Sequence, residues 1–544
     1  MANNVQLQYA QLLSLPSSQR LPSIKATIRA LPQSRTRVEV SSYLYTQLSH
    51  THKARARDVG AVEDLLLKEC KEFLVQNESV VHEANSERSD HHWLAPTVLA
   101  MAGALLRLPE HRLTRLPVSS LSKHLLLTIS QSLTSDHSNL PTLTRLLDKL
   151  VSSSLTTSPA LHILIDNMVI LISHTASLAK GASADEQLTL MLTYTSLSLT
   201  ILTSLLTHAR PSPSDAPHIA GIILKHISAF AETIWTQYGG VMGAFVQLRR
   251  VFYGCADVLA TDHAEADECV KGLVRSLGAE PGSSTSSTGG SSKAYLFILA
   301  ESLLPALSPV FVYGTLLPLC LPSLDDAKDH AAFESAHSLF LGILSLPPAP
   351  SQADHGPLDV RQCVPYYVNC LLQRLSSTDL SAVQFTVAYT SLVRTCASLA
   401  NAPAPSLQDS SDERITFGAL AWYCIQSIVS ELRDMSLQTS FNKPYRGTLQ
   451  DTLISLIPVV PLAILPGTLE NIAAYILDDI VGSEVDAVNG GDEGRSKAVF
   501  GKIFEAIRAV GDEARGEALG WWLAIVAKMT RGNPVPDDSL RARL

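Results

Sequence analysis

Ser120 and Lys123 form an S-x-x-K, and Tyr367 and Asn369 form a Y-x-N. In serine acyl-enzymes these are two elements of a set in which the lysine activates the serine hydroxyl. The third element, K-T-G, is missing. An S-x-x-K on a Leu-rich helix in a Ser-rich chain arises readily by chance, so no catalytic residue is assigned. His91 and His92 follow Asp90, and His263 lies near Asp262, Glu265, Asp267 and Cys269, all residue types that hold zinc. Their spacing does not converge: there is no HExxH, no paired CxxC and no repeated helical His pair. Solvated side chains are the expectation there, with no metal and no cofactor. The stretch from Gly289 and Gly290 to Lys293 lacks the G-x-x-x-x-G-K-[ST] frame that wraps phosphates and reads as loop. Trp521 and Trp522, beside Leu519, Ile525 and Val526, read as core packing of the last helix rather than as an exposed platform.

The elements that carry these residues are helical nearly everywhere. Leu161, Leu164, Ile165, Met168, Val169 and Ile172 follow the i, i+3, i+4, i+7, i+8 rule and share one face. Leu143, Leu146, Leu147, Leu150 and Val151 repeat the pattern one helix earlier. Ile219, Ile223, Ile227, Phe230 and Ile234, and then Phe500, Ile503, Ile507 and Val510, repeat it later. Pro109, Pro117, Pro141, Pro217 and Pro365 fall at expected helix starts, where the missing N–H costs nothing. Many short helices without βαβ alternation predict an all-α chain. The architecture expected is an irregular α-solenoid of antiparallel helix pairs, HEAT-like or armadillo-like, with long flexible loops. Tetratricopeptide and ankyrin consensus residues are absent, and a large non-repeating helical bundle is the competing architecture.

Loops stand out by composition from His208, Pro281, Leu346, Asn401 and Gly482. The Ser/Gly-rich run at 281–293 is the expected break between an N-terminal helical repeat unit, 1–280, and a C-terminal one, 294–531, followed by an extended tail, 532–544. Three windows, 187–209, 302–324 and 452–469, lack Asp, Glu, Lys and Arg. The first carries Thr189, Thr193, Ser196, Thr200, Thr203 and Thr207 at helical spacing, which suits a helix with one modestly polar face better than a lipid-facing one. Pro305, Pro309, Pro318 and Pro322 interrupt the second, and Pro458, Pro461 and Pro466 the third. Membrane association is therefore expected to be peripheral.

Composition bounds the rest. The 544 residues are 46% hydrophobic and 17% charged, too apolar for a globally disordered chain. A net charge of −9 supplies no overall basic field for a polyphosphate backbone, so nucleic-acid binding is not expected and partners should be proteins. Eight cysteines without a paired framework read as reduced and buried. The first acidic residue is Glu39, after five basic residues from Arg20 to Arg37, which is the bias of a mitochondrial transit peptide. Pro16, Pro22 and Pro32 argue instead for a solvated helix-loop-helix start.

The sharpest signal is the tail. Gly532, Pro534 and Pro536 prevent helix continuation, and the last residues are Ala542, Arg543 and Leu544. A small residue, a cation and an apolar anchor beside a free carboxylate fit the pattern of which SKL is the parent, a receptor-read peroxisomal address. A long all-helical chain with such an ending resembles the peroxin-8 family. The resemblance implies a non-enzymatic scaffold of matrix-protein import on the luminal face of the peroxisomal membrane. It also implies partners: the tetratricopeptide import receptor, the docking complex and the RING ubiquitin-ligase complex. Two alternatives stand beside it. A generic HEAT-like adaptor in cytosol or nucleus explains everything except the tail, and a peroxisomal matrix enzyme explains the tail but not the missing catalytic constellation.

Overall fold

A computed structural model of the chain describes residues 11–50, 56–78, 93–135, 137–154, 159–207, 215–277, 290–346, 360–401, 411–437, 445–477 and 493–532. All regular structure among them is helical, and no strand occurs. The chain divides into two compact units, Met1–Leu307 and Ser308–Leu544. The expected linker at 281–293 lies outside the described residues up to 289, and Gly290 to Lys293 form the first turn of a helix. The loops marked by composition lie almost wholly outside the described residues as well.

In the first unit the helices are α1 (Ser17–Ala30), α2 (Ser34–His50), α3 (Ala56–Gln76), α4 (Leu94–Leu105), α5 (Val118–Thr134), α6 (Leu140–Ser154) and α7 (Pro159–Ala179). They continue as α8 (Ala184–Thr207), α9 (Asp215–Ile227), α10 (Ala231–Tyr238), α11 (Val246–Leu259), α12 (His263–Ser276) and α13 (Gly290–Leu303). Most pack on a helix one or two places on in the sequence: α2 on α3 and α4, α4 on α5 and α6, α7 on α8 and α9, while α9 packs on α11 and α12. That is the adjacency of stacked antiparallel helix pairs, because a pair buries its apolar faces only against the pair before and after it. The faces read from the sequence are the ones buried. Leu161, Leu164, Ile165, Met168 and Ile172 on α7, and Leu143, Leu146, Leu147, Leu150 and Val151 on α6, are core residues.

α8 is the one described helix long and apolar enough to cross a bilayer, with mean hydropathy 1.4, and 67% of its apolar window is buried inside the protein. It packs against α6, α7 and α11. Its hydroxyl stripe runs from exposed to buried: Thr203 and Thr207 are exposed, Thr189 and Ser196 half-buried, and Thr193 and Thr200 buried. The buried two are tolerated there because each donates to a carbonyl four residues back, Thr193 to Thr189 and Thr200 to Ser196, and Thr200 also reaches Asp148 on α6 at 2.9 Å. Ser183 and Glu186 close the N-terminus of α8 as a capping box, the Glu186 carboxylate accepting from both the backbone N–H and the hydroxyl of Ser183.

The second unit opens on short helical turns between Pro309 and Asp325, including a π-turn at Val312–Leu316. The prolines at 309, 318 and 322 each start a turn there, as their missing donors require. The unit continues with α14 (His330–Ser345), α15 (Val360–Ser376), α16 (Ala382–Asn401), α17 (Ser411–Leu437), α18 (Arg446–Ser455), α19 (Leu465–Ile472), α20 (Glu493–Arg508) and α21 (Asp512–Gly532). The same adjacency recurs, with α16 on α17 and α18 and α18 on α19 and α20. Ser381 and Gln384 cap α16 reciprocally.

Proline placement needs one correction. Pro109 and Pro117 stand just before helices, and Pro141 and Pro217 lie within the first turns of α6 and α9. Pro365 does not start a helix but sits at the sixth position of α15, and Pro22 does the same in α1. Each forgoes a single bond to a first-turn carbonyl, a loss the rest of the helix and its packing offset. The amino-terminal region is helical on both sides of Pro32, in α1 and α2.

Candidate functional site

Ser120 is on the buried face of α5, and its hydroxyl donates to the carbonyl of Leu74 at 3.3 Å. Its backbone carbonyl accepts from, or faces, the Nδ1 of His124 at 2.7 Å. The serine is thus engaged with neighbouring backbone rather than with Lys123, and burial pushes the His124 imidazole below its ordinary range, which favours the neutral ring. Tyr367 belongs to the second unit. There its phenol is hydrogen-bonded to Nδ1 of His337 at 2.9 Å, inside a cluster of Phe333, Phe340 and the two rings themselves. Asn369 lies on the exposed side of α15. Burial, reinforced by the positive field of Arg374, pushes His337 down to about 4.

The expected zinc-type residues have separate structural roles. Asp262 caps α12, accepting from the backbone N–H groups of Ala264 and Glu265. His263 Nδ1 lies 2.7 Å from the carbonyl of Ala306, Glu265 faces His218, and Asp267 pairs with Lys271. The Cys269 thiol donates to the carbonyl of Gly221 at 3.6 Å, and burial pushes it up to about 12, where a thiolate is disfavoured at neutral pH. Among the described residues no group of three or more His, Cys, Asp or Glu stands close enough to share a metal ion. His91 and His92 lie outside the described residues. All eight cysteines are unbridged and buried. Trp522 is buried against Phe500 and Phe504 while Trp521 is half-buried. Ala542, Arg543 and Leu544 lie outside the described residues.

One concave feature escaped the sequence reading. A cavity of about 450 Å³ opens where the C-terminal ends of α7 and α9 meet α12. It is lined by Ser177 from α7 and Lys180 directly after it, Lys225 and His226 from α9, and Gly272 and Ser276 from α12, among others. Lys180 and Lys225 have no carboxylate partner among the described residues. In the sequence both are single basic residues at helix ends, indistinguishable from ordinary complements to the helix dipole. Only their convergence marks them.

The fold therefore defines a helical-repeat protein whose polar residues mostly hold helices together. Residues 267–345 match the PEX8 central TPR-like domain, running from the middle of α12 to the end of α14, and this bears out the resemblance to the peroxin-8 family. TPR-like helix pairs are the same kind of unit as those seen here, although the tetratricopeptide consensus residues are missing from the sequence. No curated protein matches. Among solved structures, a circular tandem repeat protein with novel repeat topology and enhanced subunit contact surfaces aligns over 94% of this chain and 98% of that one, at 12% identity and a TM-score of 0.22. The fold assignment rests on the helix adjacency itself.

Proposed function

We propose that this chain is a non-enzymatic scaffold of peroxisomal matrix-protein import, lying peripherally on the luminal face of the membrane and bridging the receptor-docking complex to the RING ubiquitin-ligase complex. The observation that carries the reading is the match over 267–345, which supports the coarser part of it, a peroxisomal and import-related role. Stacked helix pairs supply extended surfaces for several protein partners at once. Exposed apolar side chains such as Ile170 on α7 and Val383 and Val387 on α16 are places where partners could bury area. Ala542, Arg543 and Leu544 are the proposed address read by the import receptor, on their small, basic and apolar residue types.

An amino-terminal fluorescent fusion with the carboxyl end left free tests the location, and punctate peroxisomal signal is the expected result. A peptide ending in SLRARL should bind the receptor's cargo pocket, and deletion of Leu544 or Arg543→Glu should abolish that binding. The first change removes the apolar anchor and shifts the carboxylate, and the second reverses the cation. No affinity for the receptor would remove the address and promote the generic adaptor. Ser120→Ala with Lys123→Ala should leave import intact, and loss of import in a folded, correctly located double variant would overturn the non-enzymatic reading. Carbonate at high pH should extract the protein from membranes; retention in the pellet would turn α8 into the first candidate span.

A further inference from the structure

The cavity at the ends of α7, α9 and α12 combines features that one-at-a-time explanations do not cover. A lysine at a helix C-terminus complements the dipole, which accounts for Lys180 or Lys225 singly. It does not account for two such cations and an imidazole lining one concave space in a chain of net charge −9. The acids of α12 have other partners, since Glu265 faces His218, Asp267 pairs with Lys271, and Glu268 with Lys271 and Arg275. His226 feels the imbalance: burial first, then the fields of Lys180 and Lys225, push its imidazole below the ordinary range.

Gly272 adds a second geometric fact. A Cβ at this position would stand 3.1 Å from Cε and 3.3 Å from Nζ of Lys225, so the missing side chain leaves room for the ammonium group to lie over α12. The hydroxyls of Ser173, Ser228 and Ser276 donate to the backbone carbonyls of Val169, Lys225 and Leu273. Nδ1 of His226 lies 3.5 Å from the Ser173 hydroxyl, so the donors that remain for a ligand are the two ammonium groups, Nε2 of His226 once the ring is protonated, and the exposed Ser177 hydroxyl. The volume falls within the range of small-ligand sites, roughly 300 to 1,000 Å³.

We propose that this cavity binds a phosphate-bearing anion through Lys180, Lys225, His226 and Ser177. A phosphate group carries more than one negative charge and several acceptor oxygens, matching two lysines plus an imidazole that can take up a proton as the anion enters. A single carboxylate would neutralise one lysine and leave the other uncompensated. The ligand could be free in solution or the headgroup of a lipid, since both present the same oxygens. This inference is independent of the import reading.

Calorimetric titration of the full chain with inorganic pyrophosphate should give saturable binding to one site. Lys180→Gln with Lys225→Gln should weaken it by about tenfold or more, as loss of charged donors does. Ser177→Glu, at an exposed position where folding is not at stake, should do the same by placing a carboxylate in the cavity. Lys271→Gln, whose ammonium is paired on α12, should bind as the parent does. Co-sedimentation with phosphatidylcholine vesicles containing a phosphatidylinositol phosphate separates the sources. Vesicle binding lost in the same variants assigns a lipid headgroup, and pyrophosphate binding without vesicle binding assigns a soluble phosphate. The proposal is overturned if neither probe binds saturably, or if the folded variants bind as well as the parent.

Discussion

In the first unit, Tyr194 on α8 and Tyr295 on α13 are fully buried, and their phenols donate to the carbonyls of Ile223 and Leu224 on α9 at 2.6 and 2.7 Å. Those carbonyls lie near the end of α9, where a helix runs out of its own donors. In the second unit, Tyr389 uses the same device on the carbonyl of Cys424, but Tyr367 is bonded to a side chain, His337. Both arrangements tie neighbouring helices together inside an apolar stack. They differ in what happens when the proton concentration changes, because a carbonyl does not titrate in this range and an imidazole does. A further buried histidine, His124 in the first unit, has its Nδ1 contact with the Ser120 carbonyl on its own helix and its ring 6.2 Å from that of Phe73 on α3.

The largest effect should come from removing the rings altogether. Tyr295→Ala and Tyr367→Ala are each expected to cost about 3–5 kcal/mol in urea unfolding followed by circular dichroism, since a fully buried aromatic leaves a cavity the helices close only in part. Equal costs would place the bulk of the contribution in packing and confine the contrast between the units to the polar atoms.

The next effect isolates the titrating partner. His337 has its imidazole held at about 4 in the folded protein against 6.5 ordinarily, chiefly by burial. Between those values the unfolded chain binds a proton that the folded one does not. Stability is therefore undiminished by this group above about pH 6.5 and falls as pH drops toward 4, by about 3 kcal/mol over the window. Unfolding measured across this range should be flatter in His337→Gln, which keeps a polar group beside Tyr367 without the titration. An unchanged slope would break the contrast.

Removing only the phenol oxygens should cost less. Tyr295→Phe strands the Leu224 carbonyl and Tyr367→Phe strands the His337 ring, each at about 1–2 kcal/mol near neutral pH. The second variant should keep its acid sensitivity, because burial rather than the phenol sets the imidazole's position. The smallest effects concern close approaches on glycine. A Cβ at Gly467 would meet the Trp422 ring at 2.8 Å, and one at Gly254 would meet a Leu202 methyl at 2.7 Å. Gly467→Ala should lower stability by about 1–2 kcal/mol, since a packed indole yields poorly. Gly254→Ala should stay within about 1 kcal/mol, because Leu202 can turn and the helix gains from alanine. Thermal melts of the pair decide the order.

Helix type, and most of the buried faces, were legible in the sequence because a 3.6-residue apolar period has no other stable solution over so many segments. Leu143 to Val151 and Ile503 to Val510 were assigned to the interior from spacing alone and are there, except on the polar turns between them. Thr193 and Thr200 are buried within the hydroxyl stripe of α8 for a physical reason: a hydroxyl that satisfies itself on its own helix behaves as a small apolar group, which no periodicity of residue types reveals. Pro365 was misread because a proline at a helix start and one a turn inside look alike until the first residue of the helix is known.

What the sequence by itself determined is the all-helical class, the helix-pair architecture and the broken 302–324 window. These follow from local rules and the reach of a helical turn. Only the tertiary structure decided which polar groups meet: Tyr295 with Leu224, His337 with Tyr367, and Lys180 with Lys225 and His226 around one cavity. Those partners are 71, 30 and 45 or 46 residues apart in the chain. Their meeting depends on how successive helix pairs stack, a property of summed packing that single-residue patterns do not encode.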